Sequence, residues 1–237
     1  MRRQGTRAKS GSGGTSRSQE LIAGTSAIVV IALLAISGYF ILHSGSNIKP
    51  IVLLVGADDT GSVHTQLRQQ VFGILDQTVA EALPHGSHVI FWSYDVNSHQ
   101  YSDIVPNHAE DLWPTEDLIM KQHPTTYGTH PGIVLKDMLA TIQTNTTLNR
   151  PVAIMLLTDG EDQDPKETVT ALKSISADPD VKAVWFCGAT SQNGFRSMLE
   201  RRWAPILGNR LIVTGPDDAE TGLNKFRMLI ANSTQGN

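Results

Sequence analysis

The chain has 237 residues, 40% hydrophobic and 18% charged, with a formal net charge of -4 and one cysteine. That length holds one ordinary domain with an appendage or two small domains, and the composition is globular rather than disordered. The negative balance argues against nucleic acid as the main partner, and the lone Cys187 excludes an internal disulfide.

Residues 1–20 are rich in Gly and Ser and carry Arg2, Arg3, Arg7, Lys9 and Arg17 against one acid, Glu20. A basic, flexible cytoplasmic tail is expected there. The run LIAGTSAIVVIALLAISGYFIL that follows has no charge and no proline. As a helix it would extend about 33 Å, enough to cross a bilayer core. A transmembrane helix is therefore expected over 21–43; the apolar core of a cleavable leader would be shorter, about 7 to 15 residues. Only Lys49 follows the span closely, so the excess of positive charge before it sets the expected orientation. A single-pass membrane protein is expected, with its amino terminus inside and its large domain outside, periplasmic or extracellular. A linker over 44–49 leads into a domain over 50–232, and 233–237 is read as a disordered tail. After the span, 14 basic residues face 22 acidic ones, a net of -8 that suits cations better than anionic partners.

Apolar runs then alternate with amphipathic stretches, the pattern of a doubly wound, mostly parallel sheet flanked by helices. Strands are expected at IVLLVGA (51–57), HVIFWSYD (88–95), PVAIMLLT (151–158), VKAVWFCGA (181–189) and RLIVT (210–214), with QYSDIV (100–105) as a short edge strand. Helices are expected at 63–83, 131–146, 165–176, 191–203 and 217–233. Pro131 and Pro165 stand where a first helical turn tolerates proline, and Gly86 where the first helix would be capped. The stretch 107–127 reads as an irregular connection with one short helix around Glu116.

Ligands of such sheets collect at the carboxyl ends of the strands, near the point where strand order reverses. After the first strand come Asp58, Asp59, Thr60, Gly61 and Ser62; after the third long strand come Asp159, Gly160, Glu161 and Asp162; before the helix at Pro131 comes Thr129. Counted from Asp58, the first loop reads D-x-T-x-S. Carboxylate and hydroxyl oxygens are the ligands of hard cations such as Mg²⁺. Because hydroxyls are neutral, they leave such a cation under-compensated and ready to accept a carboxylate from a partner.

On these three motifs, VLLVGADDTGS, TYGTHPGIVLKDML and IMLLTDGEDQ, the region from about 48 to 232 resembles a von Willebrand factor type A domain with its metal-ion-dependent adhesion site. The resemblance implies a doubly wound fold and a site of Asp58, Thr60, Ser62, Thr129 and Asp159 for Mg²⁺, or Mn²⁺ or Ca²⁺. Thr60 stands where the family has serine and keeps the hydroxyl. The resemblance also implies that Thr60, Ser62 and, in one state, Thr129 touch the metal directly, whereas Asp58 and Asp159 act mainly through waters. The implied function is non-enzymatic: capture of a protein partner that supplies an Asp or Glu to the metal, with no small-molecule substrate. Two alternatives stand beside it. One is an Mg²⁺-dependent phosphatase of the haloacid dehalogenase type, whose D-x-D-x-T places a second acid two positions after the first. Here that position is Thr60 or Gly61, depending on the frame. The other is a metal-independent scaffold subunit of an envelope complex.

The remaining features read more plainly. Eight histidines between His43 and His130 fit no zinc spacing and read as solvated side chains, although His64 and His130 adjoin proposed ligands and could shape the rim. Trp92, Trp185 and Cys187 are expected in the core, Asp59 as a surface or capping residue, and GEDQD (160–164) as a solvated loop. Trp113 could anchor its connection or contact a partner. Asn145 and Asn232 begin N-x-T/S sequons.

Overall fold

The five apolar runs become strands because each alternate residue meets a different helical layer. The computed structural model describes residues 49–122, 128–144, 150–190 and 194–234. The expected tail, the transmembrane helix at 21–43, nearly all of the linker and the Asn145 sequon lie outside them. Among the described residues, no helix is long and apolar enough to cross a membrane.

The order is β1 (Val52–Asp58), α1 (Thr65–Ala82), β2 (His88–Tyr94), β3 (Ser98–Ile104), a 3-10 turn (Ala109–Leu112), α2 (Trp113–Met120) and α3 (Pro131–Thr144). It continues with β4 (Val152–Leu157), α4 (Pro165–Ala177), β5 (Val181–Cys187), α5 (Phe195–Leu207), β6 (Leu211–Thr214) and α6 (Ala219–Thr234). The sheet order is β3-β2-β1-β4-β5-β6. All pairs are parallel except β2 with β3, whose short connection allows only an antiparallel return. Strand order reverses at β1, which pairs with β2 on one side and β4 on the other.

On β1, Leu53, Val55 and Ala57 face a core shared with α1, α2 and α6, through Val71, Leu75, Ile119 and Phe226. Val52 and Leu54 face the opposite core with α3, α4 and α5, through Val134, Met138, Leu172 and Trp203. Burial on both faces explains why the strands read as continuous apolar runs. Trp185 and Cys187 are fully buried and Trp92 nearly so, as expected.

Several boundaries differ from expectation. α1 starts at Thr65 because the His64 ring caps it, Nδ1 accepting from Leu67 N at 3.1 Å. Gly86 is not that helix's cap. α1 ends at Leu83 in an extended conformation, and Gly86, at φ +79°, serves the turn in which Ser87 N reaches Pro84 O. α6 runs through Thr234, one residue past the expected helix, with Ser233 Oγ donating back to Ile230 O, so the helix enters the stretch read as a tail.

Candidate functional site

The carboxyl ends of β1 and β4 lie side by side at the reversal of strand order, so Asp58 and Asp159 arrive together by topology alone. Asp58 ends β1 and is buried. Its Oδ1 accepts from the Thr60 backbone N at 3.1 Å and from Thr60 Oγ1 at 2.7 Å; its Oδ2 accepts from Thr158 Oγ1 at 2.8 Å. Thr60 Oγ1 also lies 3.0 Å from Ser62 Oγ and accepts from Thr129 Oγ1 at 3.1 Å. A hydroxyl has one proton to give. With that of Thr60 committed to Asp58, Ser62 donates to Thr60. Four of the five residues expected at the site are thus one hydrogen-bonded chain.

The fifth, Asp159, sits just past β4; its Oδ1 accepts from Glu161 N at 2.9 Å, and its charge acts on Asp58. Asp58, Thr60, Thr129 and Asp159 are buried while Ser62 is exposed, so the pit opens on the Ser62 side. Burial pushes the Asp58 carboxyl up to about 7; its hydrogen bonds from Thr60 and Thr158 oppose this, and Asp159 adds to it. Beneath lies the buried Tyr94 hydroxyl. Burial first, then the charge of Asp58, raise it well above the usual phenol range.

Three supporting residues were not singled out from the sequence. Thr158 bridges the two strand ends by donating to Asp58 while accepting from Gly160 N at 3.1 Å. Its position beside Asp159 was the available signal. Tyr94, which ends β2, gave none. Arg68 reaches back from α1 to Thr60 O at 3.3 Å and Val63 O at 3.1 Å, and forms an ion pair with Asp59 Oδ1 at 2.8 Å. Asp59 is therefore neither a helix cap nor a loose surface acid; it ties the loop to α1. A cleft of about 390 Å³ lined by Asp59, Tyr94, Asp95 and His99 adjoins the pit.

The GEDQD loop is also more ordered than a solvated run. Asp162 Oδ1 accepts from Asp164 N at 3.1 Å and Thr168 Oγ1 at 3.2 Å, and burial pushes its carboxyl up to about 6. Asp164 Oδ1 caps α4 through Glu167 N at 3.1 Å. His64 belongs to the α1 cap, whereas His130 lies with Asp164 and Glu167. Trp113 is half exposed yet anchored, its Nε1 donating to Asp76 Oδ2 at 3.2 Å.

No protein-family model matches this sequence, and no curated protein does. Solved structures do match in shape. An aerotolerance-related membrane protein from Bacteroides fragilis is 13% identical, with a TM-score of 0.59 over 77% of this chain and 99% of that one. Proximal thread matrix protein 1 from the mussel byssus, solved with a zinc-occupied MIDAS motif, is 14% identical, with a TM-score of 0.58 over 77% of this chain. A von Willebrand factor type A structure from Catenulispora acidiphila is 16% identical, with a TM-score of 0.53 over 78% of this chain. The chain spans 48% of the mussel protein's length and 43% of the Catenulispora one. At such identities the likeness is one of fold, and the domain has the α/β fold of von Willebrand factor type A domains.

Proposed function

We propose that this chain is a non-enzymatic, membrane-anchored binding module that engages a protein partner through a divalent cation held by Asp58, Thr60, Ser62, Thr129 and Asp159. The observation that carries this reading is the hydroxyl chain at the pit. Around Mg²⁺, bonds of 2.0–2.1 Å at right angles put neighbouring ligand oxygens about 2.9 Å apart. Thr60 lies 3.0 Å from Ser62 and 3.1 Å from Thr129, so the donors fit that ion in both type and spacing. The pit also brings Asp58 close enough to Asp159 for their charges to interact, and a cation would relieve that repulsion.

When bound, the cation would supply an electrophilic position for a partner's Asp or Glu, because three neutral hydroxyls leave much of its charge uncompensated. The residues do the rest. Thr158 and Thr60 hold the Asp58 carboxylate in place, and the exposed Ser62 leaves the approach open. The alternative phosphatase lacks its second acid, Thr60 or Gly61 standing where it would be.

Calorimetry with Mg²⁺ and Mn²⁺ tests the site. Wild type and Asp59→Ala are expected to bind, Asp58→Ala to lose binding. A partner recovered with the chain in Mg²⁺ should release on adding EDTA and return with Mg²⁺. Indifference of both measurements to metal and to Asp58→Ala would falsify the adhesion mechanism.

A further inference from the structure

We infer that the domain carries a second cation site of different chemistry, formed by His130, Asp164 and Glu167, that takes Zn²⁺ or a similar borderline ion. One ligand atom from each residue lies within 4.8 Å of the others, and all three side chains are partly buried. None of them belongs to the five-residue pit, and the inference does not rest on that pit holding metal.

The three side chains come from two elements whose starts are locked together. His130 immediately precedes α3, its backbone N donating to Asp95 O at 3.1 Å while its carbonyl accepts from Ile133 N at 3.1 Å. Asp164 caps α4, and Glu167 lies in its first turn. α3 approaches so closely that a Cβ on Gly132 would sit 2.7 Å from both Glu167 Cγ and Thr168 N. The neighbouring loop is held as well, Gln163 N donating to Thr129 O at 2.9 Å. The ring also lies over its own loop, with Nε2 3.2 Å from where a Cβ on Gly128 would stand. The backbone therefore presents the ligands without needing to move.

Tetrahedral zinc with bonds near 2.0–2.2 Å separates its ligand atoms by about 3.4 Å. Side-chain rotation of about an ångström closes the present cluster to that spacing. Each carboxylate has an oxygen to spare: Asp164 Oδ1 accepts from Glu167 N, and Glu167 Oε1 holds Lys136, leaving the second oxygen of each for a cation. One imidazole and two carboxylates, with a fourth position for water, match zinc, cobalt or nickel. Mg²⁺ prefers oxygen ligands throughout and has no use for the imidazole. The cation would cross-link the starts of α3 and α4 beside Thr129. The sequence hides this site because His130 lies 34 and 37 positions before Asp164 and Glu167.

The full-length chain carrying Asp58→Ala isolates this site from the pit. Titrated with Zn²⁺ against a chromophoric chelator, it is expected to bind one equivalent and to melt at a higher temperature with Zn²⁺ than with EDTA. Adding His130→Ala should remove both the equivalent and the thermal shift, and Glu167→Gln should weaken binding by roughly tenfold. Far-UV circular dichroism shows whether each variant is folded. Zinc stoichiometry and thermal shift unchanged by both substitutions would overturn the inference, as would loss of all zinc with Asp58→Ala alone. Mg²⁺ binding by His130→Ala in an otherwise wild-type chain reports on the pit separately, so failure of one site is distinguishable from failure of the other.

Discussion

Arg68 lies in the first turn of α1, ten positions after Asp58, and reaches the pit's loop. Its guanidinium holds Thr60 O, Val63 O and Asp59, with side-chain exposures of 8% for Arg68 and 13% for Asp59. Asp59 feels burial, which raises its carboxyl, and Arg68, which opposes that rise. Removing one partner of such a buried pair leaves the other charge uncompensated, at a cost of about 3 kcal/mol. Arg68→Ala is expected to lose about that much stability in urea denaturation, and the double variant with Asp59→Ala to lose less than the two singles combined. Arg68→Lys should recover only part, because a point charge cannot serve three acceptors that a planar fork can. Equal stability of Arg68→Ala and wild type would mean that the loop holds itself. The spacing D-x-T-x-S singled out Asp58 over Asp59 from sequence; in the structure Asp58 joins the hydroxyl chain and Asp59 pairs with Arg68. The role of Asp59 was not legible, because its partner reaches it only after the chain turns at Gly61 and enters the helix.

Elements were legible where a local signal and burial coincide. Pro131 and Pro165 both occupy first helical turns, and the apolar runs became strands within a residue or two. Gly86 misled because a glycine after a helix can serve either the cap or the next turn, and here Pro84 placed it in the turn. Close approaches between helices leave no mark in sequence. Gly132 shows this: its conformation requires no glycine, but a Cβ there would meet the Thr168 backbone N at 2.7 Å. Gly132→Ala must push α3 away from α4 and is expected to destabilise by about 1–3 kcal/mol. Gly73, inside α1 and exposed, has nothing within 4 Å of its missing Cβ. Gly73→Ala should instead stabilise by about 0.5–1 kcal/mol through helix propensity. Opposite signs in chemical denaturation are the result to look for; matching signs would mean that the α3–α4 contact is looser than drawn.

At the scale of the whole molecule, the excess of acid was read from sequence as a preference for cations, but its consequence for folding depends on which acids are enclosed. Glu116 on α2 is 8% exposed and packs against Asp76 on α1. Asp76 Oδ2 accepts from Trp113 Nε1, and Glu110 and Asp117 add negative charge nearby. Burial first, then the charge and hydrogen bond of Asp76, push the Glu116 carboxyl from 4.5 up to about 8; Asp76 is raised too, again by burial first. The Glu116 carboxyl therefore keeps a proton that the unfolded chain would release near the ordinary glutamate range. Over the window from about 4.5 to about 8 the native state binds more protons than the unfolded one, so stability falls as pH rises through it. The contribution is complete below pH 4.5 and gone above pH 8. Glu116→Gln keeps the shape but has no proton to lose. Relative to wild type, it should be more stable at pH 8.5 than at pH 5, measured as the difference in urea midpoint at the two pH values. A difference that does not change with pH would mean that Glu116 is ionised in the folded chain and that the α1–α2 contact does not depend on its proton.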